Sequence, residues 1–339
     1  MKRALVIFSV IVALGLVVGF GVVGLGLYNV SATAGHLPGV AWVLHTTFKN
    51  SVSLRAPPEN EVPLLDDPDL VALGAGHYAT ACVPCHGSPD EPAMAFSDAM
   101  LPEPPQIKLA VARWSPNELH WIVENGVKMS GMPGWPAPER SDEVWAVVAY
   151  LEKVKEDDAP PLPKATSESI ATSSVAYCGS CHGTIDGLVP RLDIQDADYL
   201  REELREYVTG ARPSGIMQQA ASVVPVEELP RLAEHFAATI NEAQDPLPVP
   251  VVGERLANRG TREVPACTAC HGPGASADET LGPRLSGQHR VFLETQLRLW
   301  RDGVRTDSAK MVAAARALSD ADIALLAEWY ASQPAGGEQ

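Results

Sequence analysis

At 339 residues the chain has room for two to three domains, and it carries six cysteines and a formal charge of −16. That acidic balance excludes a nucleic-acid binder, whose phosphate contacts need clustered Lys and Arg, and suits docking to a basic protein. The charge is unevenly spread: 156–250 holds 16 acidic against 6 basic residues, while 251–339 is nearly neutral with 11 against 10, so the middle of the chain is a candidate docking face.

Residues 4–28 are uncharged and mostly Ala, Val, Leu, Ile, Gly and Phe, behind Lys2 and Arg3. Such a helix rises roughly 37 Å, enough to cross a hydrocarbon core of about 30 Å. A signal peptide's apolar stretch is usually only about 7–15 residues long. The reading is therefore an uncleaved anchor over 1–30, even though Ala32-Thr33-Ala34 resembles a cleavage site. The basic end stays in the cytoplasm, which places the remainder on the periplasmic face of a bacterial inner membrane. Residues 31–65 form a juxtamembrane segment with Trp42, His45 and Phe48, then a polar tether from Asn50 to Leu65 that lifts the first domain off the surface.

Asp67-Pro68 sets an N-cap before an N1 proline and opens a helix through Leu70, Gly74 and Tyr78. Ser115-Pro116-Asn117-Glu118 is a capping box with Gly126 as its helix stop. Ser141 reads as the cap of a last helix carrying Trp145, Val148 and Leu151. Between them lies Met129-Ser130-Gly131-Met132-Pro133-Gly134-Trp135, with two candidate sulfur ligands. Acidic, proline-rich stretches at 156–163 and 243–250 read as linkers. They divide the outer part into domains at 66–155, 164–242 and 251–335.

The pattern Cys-x-x-Cys-His occurs three times, at Cys82–His86, Cys178–His182 and Cys267–His271, and uses all six cysteines. Cysteines at i and i+3 and a histidine at i+4 share one face of a helical turn. This is the attachment signature of a c-type haem: both thiols close thioether bonds while the imidazole faces the iron. Three disulfides would leave the histidines unexplained, and three Cys-x-x-Cys pairs make one and a half zinc sites. The reading is three covalent haem c groups on Cys82, Cys85, Cys178, Cys181, Cys267 and Cys270, with His86, His182 and His271 as iron ligands.

Setting Pro190 on Pro283 aligns the second and third domains without a gap for 22 residues. Arg191 meets Arg284, Gln195 meets Gln288, Tyr199 meets Phe292, Leu204 meets Leu297, and Arg212 meets Arg305. Met217 then arrives one residue earlier than Met311. Each is the only methionine after its own haem motif and before the next, which makes both candidate axial ligands that raise the reduction potential.

At these residues the chain resembles the class I c-type cytochromes. From Pro265 to Ala331 it is similar to the diheme c-four cytochromes, through the haem motif, Gly282-Pro283-Arg284-Leu285-Ser286-Gly287-Gln288, Met311 and Leu318-Ser319-Asp320. The middle domain is a degenerate relative, with Asp193-Ile194-Gln195 in place of Ser-Gly-Gln and a short first helix. The first domain resembles single-haem modules whose sulfur ligand lies in a Gly-Met-Pro-aromatic loop, which selects Met132 over Met129. The resemblance implies an all-α fold, an N-terminal transmembrane helix followed by three cytochrome c domains in tandem. It also implies that Pro190 and Pro283 orient the proximal histidines through their carbonyls. It implies an electron carrier, not an enzyme, in a periplasmic respiratory chain. The donor would be a dehydrogenase or quinol-oxidising complex, and the acceptor a terminal oxidase or soluble cytochrome. A haem enzyme of the peroxidase or nitrogen-oxide reductase type needs an open axial position, and a methionine in every domain argues against one. Three-haem chains also serve as cytochrome subunits of alcohol and aldehyde dehydrogenases. Those usually carry a C-terminal anchor, whereas this chain ends in the polar Pro334–Gln339.

Overall fold

The computed structural model describes residues 2–31, 33–163, 174–239, 251–272 and 282–335, and among these every regular element is helical. Helix α1 (Lys2–Gly24) is long and apolar enough to cross a membrane. It stops short of the expected Tyr28, because the chain turns at Gly26, where φ is 65°. Helix α2 (Val40–Arg55) corrects the expectation of a free tether from Asn50. Phe48 and Val52, four residues apart on one face, meet an apolar surface: Val52 is fully buried, and the Phe48 ring stands edge-on to Trp114 at 5.5 Å. Ser53 Oγ donates to Glu118 Oε1 at 2.7 Å, and Asn117 Nδ2 donates to the Pro57 carbonyl at 2.7 Å. The segment after the apolar helix α1 is thus fastened to the first core instead of spacing it away.

That core is built by α3 (Pro68–Ala81), α5 (Ile107–Val111), α6 (Pro116–Asn125) and α7 (Ser141–Lys155). Asp67 caps α3 by accepting from the Asp69 and Leu70 amides, and the Ser115–Glu118 capping box opens α6. Gly126 ends α6 at φ 64°, and a Cβ there would stand 2.5 Å from the Pro133 backbone. Ser141 is not the cap of α7: Arg140 holds that place, and the Ser141 carbonyl instead accepts from His120 Nε2 at 2.9 Å. The crossing of α3 on α7 requires glycine, since a Cβ on Gly74 would stand 1.9 Å from the Ala146 carbonyl oxygen. The same crossing recurs between α12 (Val251–Arg259) and α16 (Asp320–Ser332), where a Cβ on Gly253 would come within 2.4 Å of the Leu325 oxygen.

Between these lies a smaller core of α8 (Ser174–His182), α9 (Ala197–Thr209), α10 (Gly215–Ser222) and α11 (Leu229–Ala238). The third cluster adds α13 (Thr268–His271), α14 (Arg290–Arg301) and α15 (Ala309–Ala315). In the stretch read as the first linker, Ala159 and Leu162 pack on the first core. The stretch read as the second linker, 243–250, lies outside the described residues.

The second and third clusters meet through repeat-equivalent residues that exchange hydrogen bonds. Gln288 accepts from the Arg191 amide at 2.8 Å and donates to the Arg191 carbonyl at 3.0 Å. Gln195 does the same for Arg284, at 2.9 and 2.8 Å. Because Gln195 matches Gln288 and Arg191 matches Arg284 in the repeat, this is a local two-fold relation. Each glutamine acts as one rung of a strand ladder for the opposite chain segment.

Candidate haem sites

Each Cys-x-x-Cys-His motif forms a single helical turn: α4 (Val83–His86) in the first, the end of α8 in the second, and α13 in the third. The His86 amide bonds to the Cys82 carbonyl at 2.9 Å, and the His271 amide to the Cys267 carbonyl at 2.9 Å. That winding puts the two sulfurs and the ring on one face. All three imidazoles are then held the same way. His182 Nδ1 lies 3.1 Å from the Pro190 carbonyl and His271 Nδ1 lies 3.0 Å from the Pro283 carbonyl. His86 Nδ1 lies 2.9 Å from the carbonyl of Pro105, a residue the sequence reading missed. The spacing hid it: Pro105 follows its histidine by 19 residues, against 8 and 12 in the other two motifs. A carbonyl can only accept, so Nδ1 carries the proton and Nε2 keeps its lone pair for a metal. Burial pulls the pKa of His182 and His271 down, partly offset by these carbonyl bonds, and so favours the neutral ring that a ligand must be.

The second and third sets share one cavity of about 680 Å³. Its walls include Cys178, Cys181, His182 and Met217 from one side and Cys267, Cys270, His271 and Met311 from the other. Both methionines start short helices capped by a serine three residues earlier. Met217 N donates to Ser214 Oγ at 3.1 Å, and Met311 N to Ser308 Oγ at 3.4 Å. The Ser-x-x-Met pattern is present in both repeats and was a readable signal for this arrangement. The first set lies outside that cavity. Cys82 and Met132 both pack against the first core, and Met132 N donates to Ser130 Oγ at 3.1 Å. Met129, in contrast, sits at φ 63° with 77% of its surface exposed.

Two arginines matched in the repeat, Arg212 and Arg305, also line the shared cavity and converge on Gln296 Oε1 at 3.1 and 3.0 Å. Glu203 pairs with both, and Asp307 pairs with Arg305 at 3.0 Å. Burial first, then the neighbouring Arg305, pulls Arg212 down to about 9. Arg212 stacks on Tyr207 and Arg305 on Trp300, at 4.8 and 4.4 Å.

Haem c fits these residues. The cavity is lined mainly by apolar side chains, and two buried polar atoms on its wall, Tyr330 Oη and His77 Nδ1, have no partner among the described residues. A large, flat, mostly apolar group with a few polar edges matches that lining.

The chain's known relatives agree. Residues 69–151 match the family described as cytochrome c oxidase, cbb3-type, subunit III. The thiosulfate dehydrogenase electron acceptor of Stutzerimonas stutzeri (strain A1501) is 34% identical over 205 residues, covering 55% of this chain and 93% of that protein. The protein of the same name from Thiomonas intermedia (strain K12) is 33% identical, covering 50% and 83%. Cytochrome c4 of Pseudomonas aeruginosa is 33% identical over 171 residues, covering 46% and 84%. With paired cysteines, oriented histidines and these relatives together, the chain belongs to the c-type cytochromes, electron-transfer proteins that bind haem c covalently, alongside cytochrome c4 and the thiosulfate dehydrogenase electron acceptors.

Proposed function

We propose that this chain is a membrane-anchored triheme relay that passes single electrons through the periplasm. The observation that carries the reading is the threefold repetition of one device: a Cys-x-x-Cys-His turn whose histidine Nδ1 is held by a proline carbonyl, at Pro105, Pro190 and Pro283. When bound, the haem supplies a ferric/ferrous couple. The chain's own residues do the rest. Cys82, Cys85, Cys178, Cys181, Cys267 and Cys270 tether it, and His86, His182 and His271 are the proximal ligands. Met132, Met217 and Met311 are the opposite ligands. The exposure of Met129 and the partial burial of Met132 support that choice in the first domain. Domains at 66–155, 164–242 and 251–335 each house one site, and the cavity common to the last two supports rapid exchange between them. Helix α1 anchors the chain with its basic end in the cytoplasm. The donor is a periplasmic dehydrogenase or a quinol-oxidising complex, and the names of the relatives favour a thiosulfate-oxidising one. The acceptor is a terminal oxidase or a soluble cytochrome.

A pyridine haemochrome assay combined with a redox titration of the detergent-extracted protein tests this. Three haems per chain, all low-spin when reduced, are expected. Two haems, or a high-spin component that binds carbon monoxide, would overturn the relay.

A further inference from the structure

The segment leading into Met217 is gripped by the first domain. Ser214, 3% exposed, accepts from the Met217 amide at 3.1 Å and donates its own proton to Glu143 Oε1 at 2.7 Å. The other Glu143 oxygen accepts from the Ile216 amide at 3.3 Å. Arg140 Nη1 pairs with Glu143 at 2.8 Å and donates to the Pro213 carbonyl at 3.2 Å. The Trp135 ring lies so close to Gly215 that a Cβ there would stand 2.2 Å from its indole nitrogen. Ile216 packs on the first core. Every residue from 213 to 216 is thus held by the cap or first turn of α7 or by the end of the loop that carries Met132. In the third cluster Ser308 caps Met311 in the same way, and among the described residues no carboxylate from another domain reaches it.

We propose that Glu143 is a positioning residue for the axial methionine of the second haem, so that the first domain sets the ligation and potential of its neighbour. The proposal rests on the reading of Met217 as an iron ligand. A thioether is a weak, neutral ligand, and how firmly it stays depends on how well its backbone is held beforehand. Glu143 supplies that hold through two hydrogen bonds from α10, and Arg140 keeps the buried carboxylate compensated. Among the described residues the second domain has the smallest of the three cores, and it takes from the first the support its own short helices do not provide. Docking of the first two domains and closure of the second iron site are then a single event.

The test uses the full holoprotein in detergent. Its readouts are the methionine–iron charge-transfer absorption of the oxidised form, carbon monoxide binding by the reduced form, and a potentiometric titration. Met217→Ala sets the reference by removing one haem's share of the band. Glu143→Ala is expected to weaken that same share, lower the potential of that component and admit carbon monoxide there. Glu143→Gln, whose amide oxygen still accepts from Ser214, is expected to restore the band. Gly215→Ala pushes a methyl into Trp135 and should reproduce Glu143→Ala, including where the latter fails to accumulate. If Met217→Ala removes the band while Glu143→Ala and Gly215→Ala leave band, potential and carbon monoxide binding unchanged, the positioning role is wrong. If Met217→Ala itself leaves the band intact, the ligand reading fails and this proposal with it.

Discussion

Single atoms decide the proposed sites. A histidine after Cys-x-x-Cys is readable in sequence, but which nitrogen faces the iron depends on a carbonyl that arrives from a loop 8, 12 or 19 residues on. Met129 and Met132 differ in the same way, one pointing to solvent at φ 63° and the other packed on the first core. Met132→Ala should therefore remove one haem's share of the charge-transfer absorption, while Met129→Ala should leave the spectrum unchanged. His77 makes a second residue-scale prediction. Burial against Trp135, at 4.6 Å between ring centroids, pulls its pKa to about 4. The unfolded chain, titrating near 6.5, then binds the proton that the folded state refuses. Stability is full above pH 6.5 and is lost as pH falls toward 4. Urea unfolding at pH 7 and pH 4.5 should show that loss, and His77→Phe should flatten it.

Helices carry the next level. The starts of α3 and α6 follow from their caps, because Asp67, Ser115 and Glu118 satisfy amide groups within a few residues of themselves. Ser141 went otherwise, since His120 takes its carbonyl and Arg140 stands at the cap. Gly74 and Gly253 look unremarkable as helix residues, yet each marks a close crossing with a later helix. An alanine at either must push a backbone carbonyl aside. Gly74→Ala and Gly253→Ala should each cost about 1–3 kcal/mol or more, seen as a fall in melting temperature of roughly 4–8 °C per kcal/mol for a domain of this size. Ser115→Ala, which removes only a cap, should cost about 1 kcal/mol.

At the scale of the whole molecule, the second and third clusters are joined by the Gln195–Arg284 and Gln288–Arg191 exchange and by the arginine pair around Glu203 and Gln296. Gln288 is 2% exposed. Removing its amide leaves the Arg191 N–H and C=O buried without these partners, at about 1–3 kcal/mol for each group. Gln288→Ala is expected to split the unfolding of the two clusters into separate calorimetric transitions, where the parent unfolds them together. Helix α2 extends the same continuity toward the apolar N-terminal helix through Phe48, Val52 and Ser53.

The sequence by itself determined the haem chemistry, the helical class, the apolar N-terminal helix and the register of the repeat. Each of these is carried by residues within one or two helical turns of one another, or by a pattern copied along the chain. Only the tertiary structure decided that the Pro105 carbonyl reaches His86 Nδ1 and that the supposed tether packs on the first core. It alone brought the second and third sites into one cavity and set Glu143 against the cap of Met217. Those contacts join residues 19 to about 100 positions apart, and pairing at such distances depends on which buried groups find partners once the helices have packed.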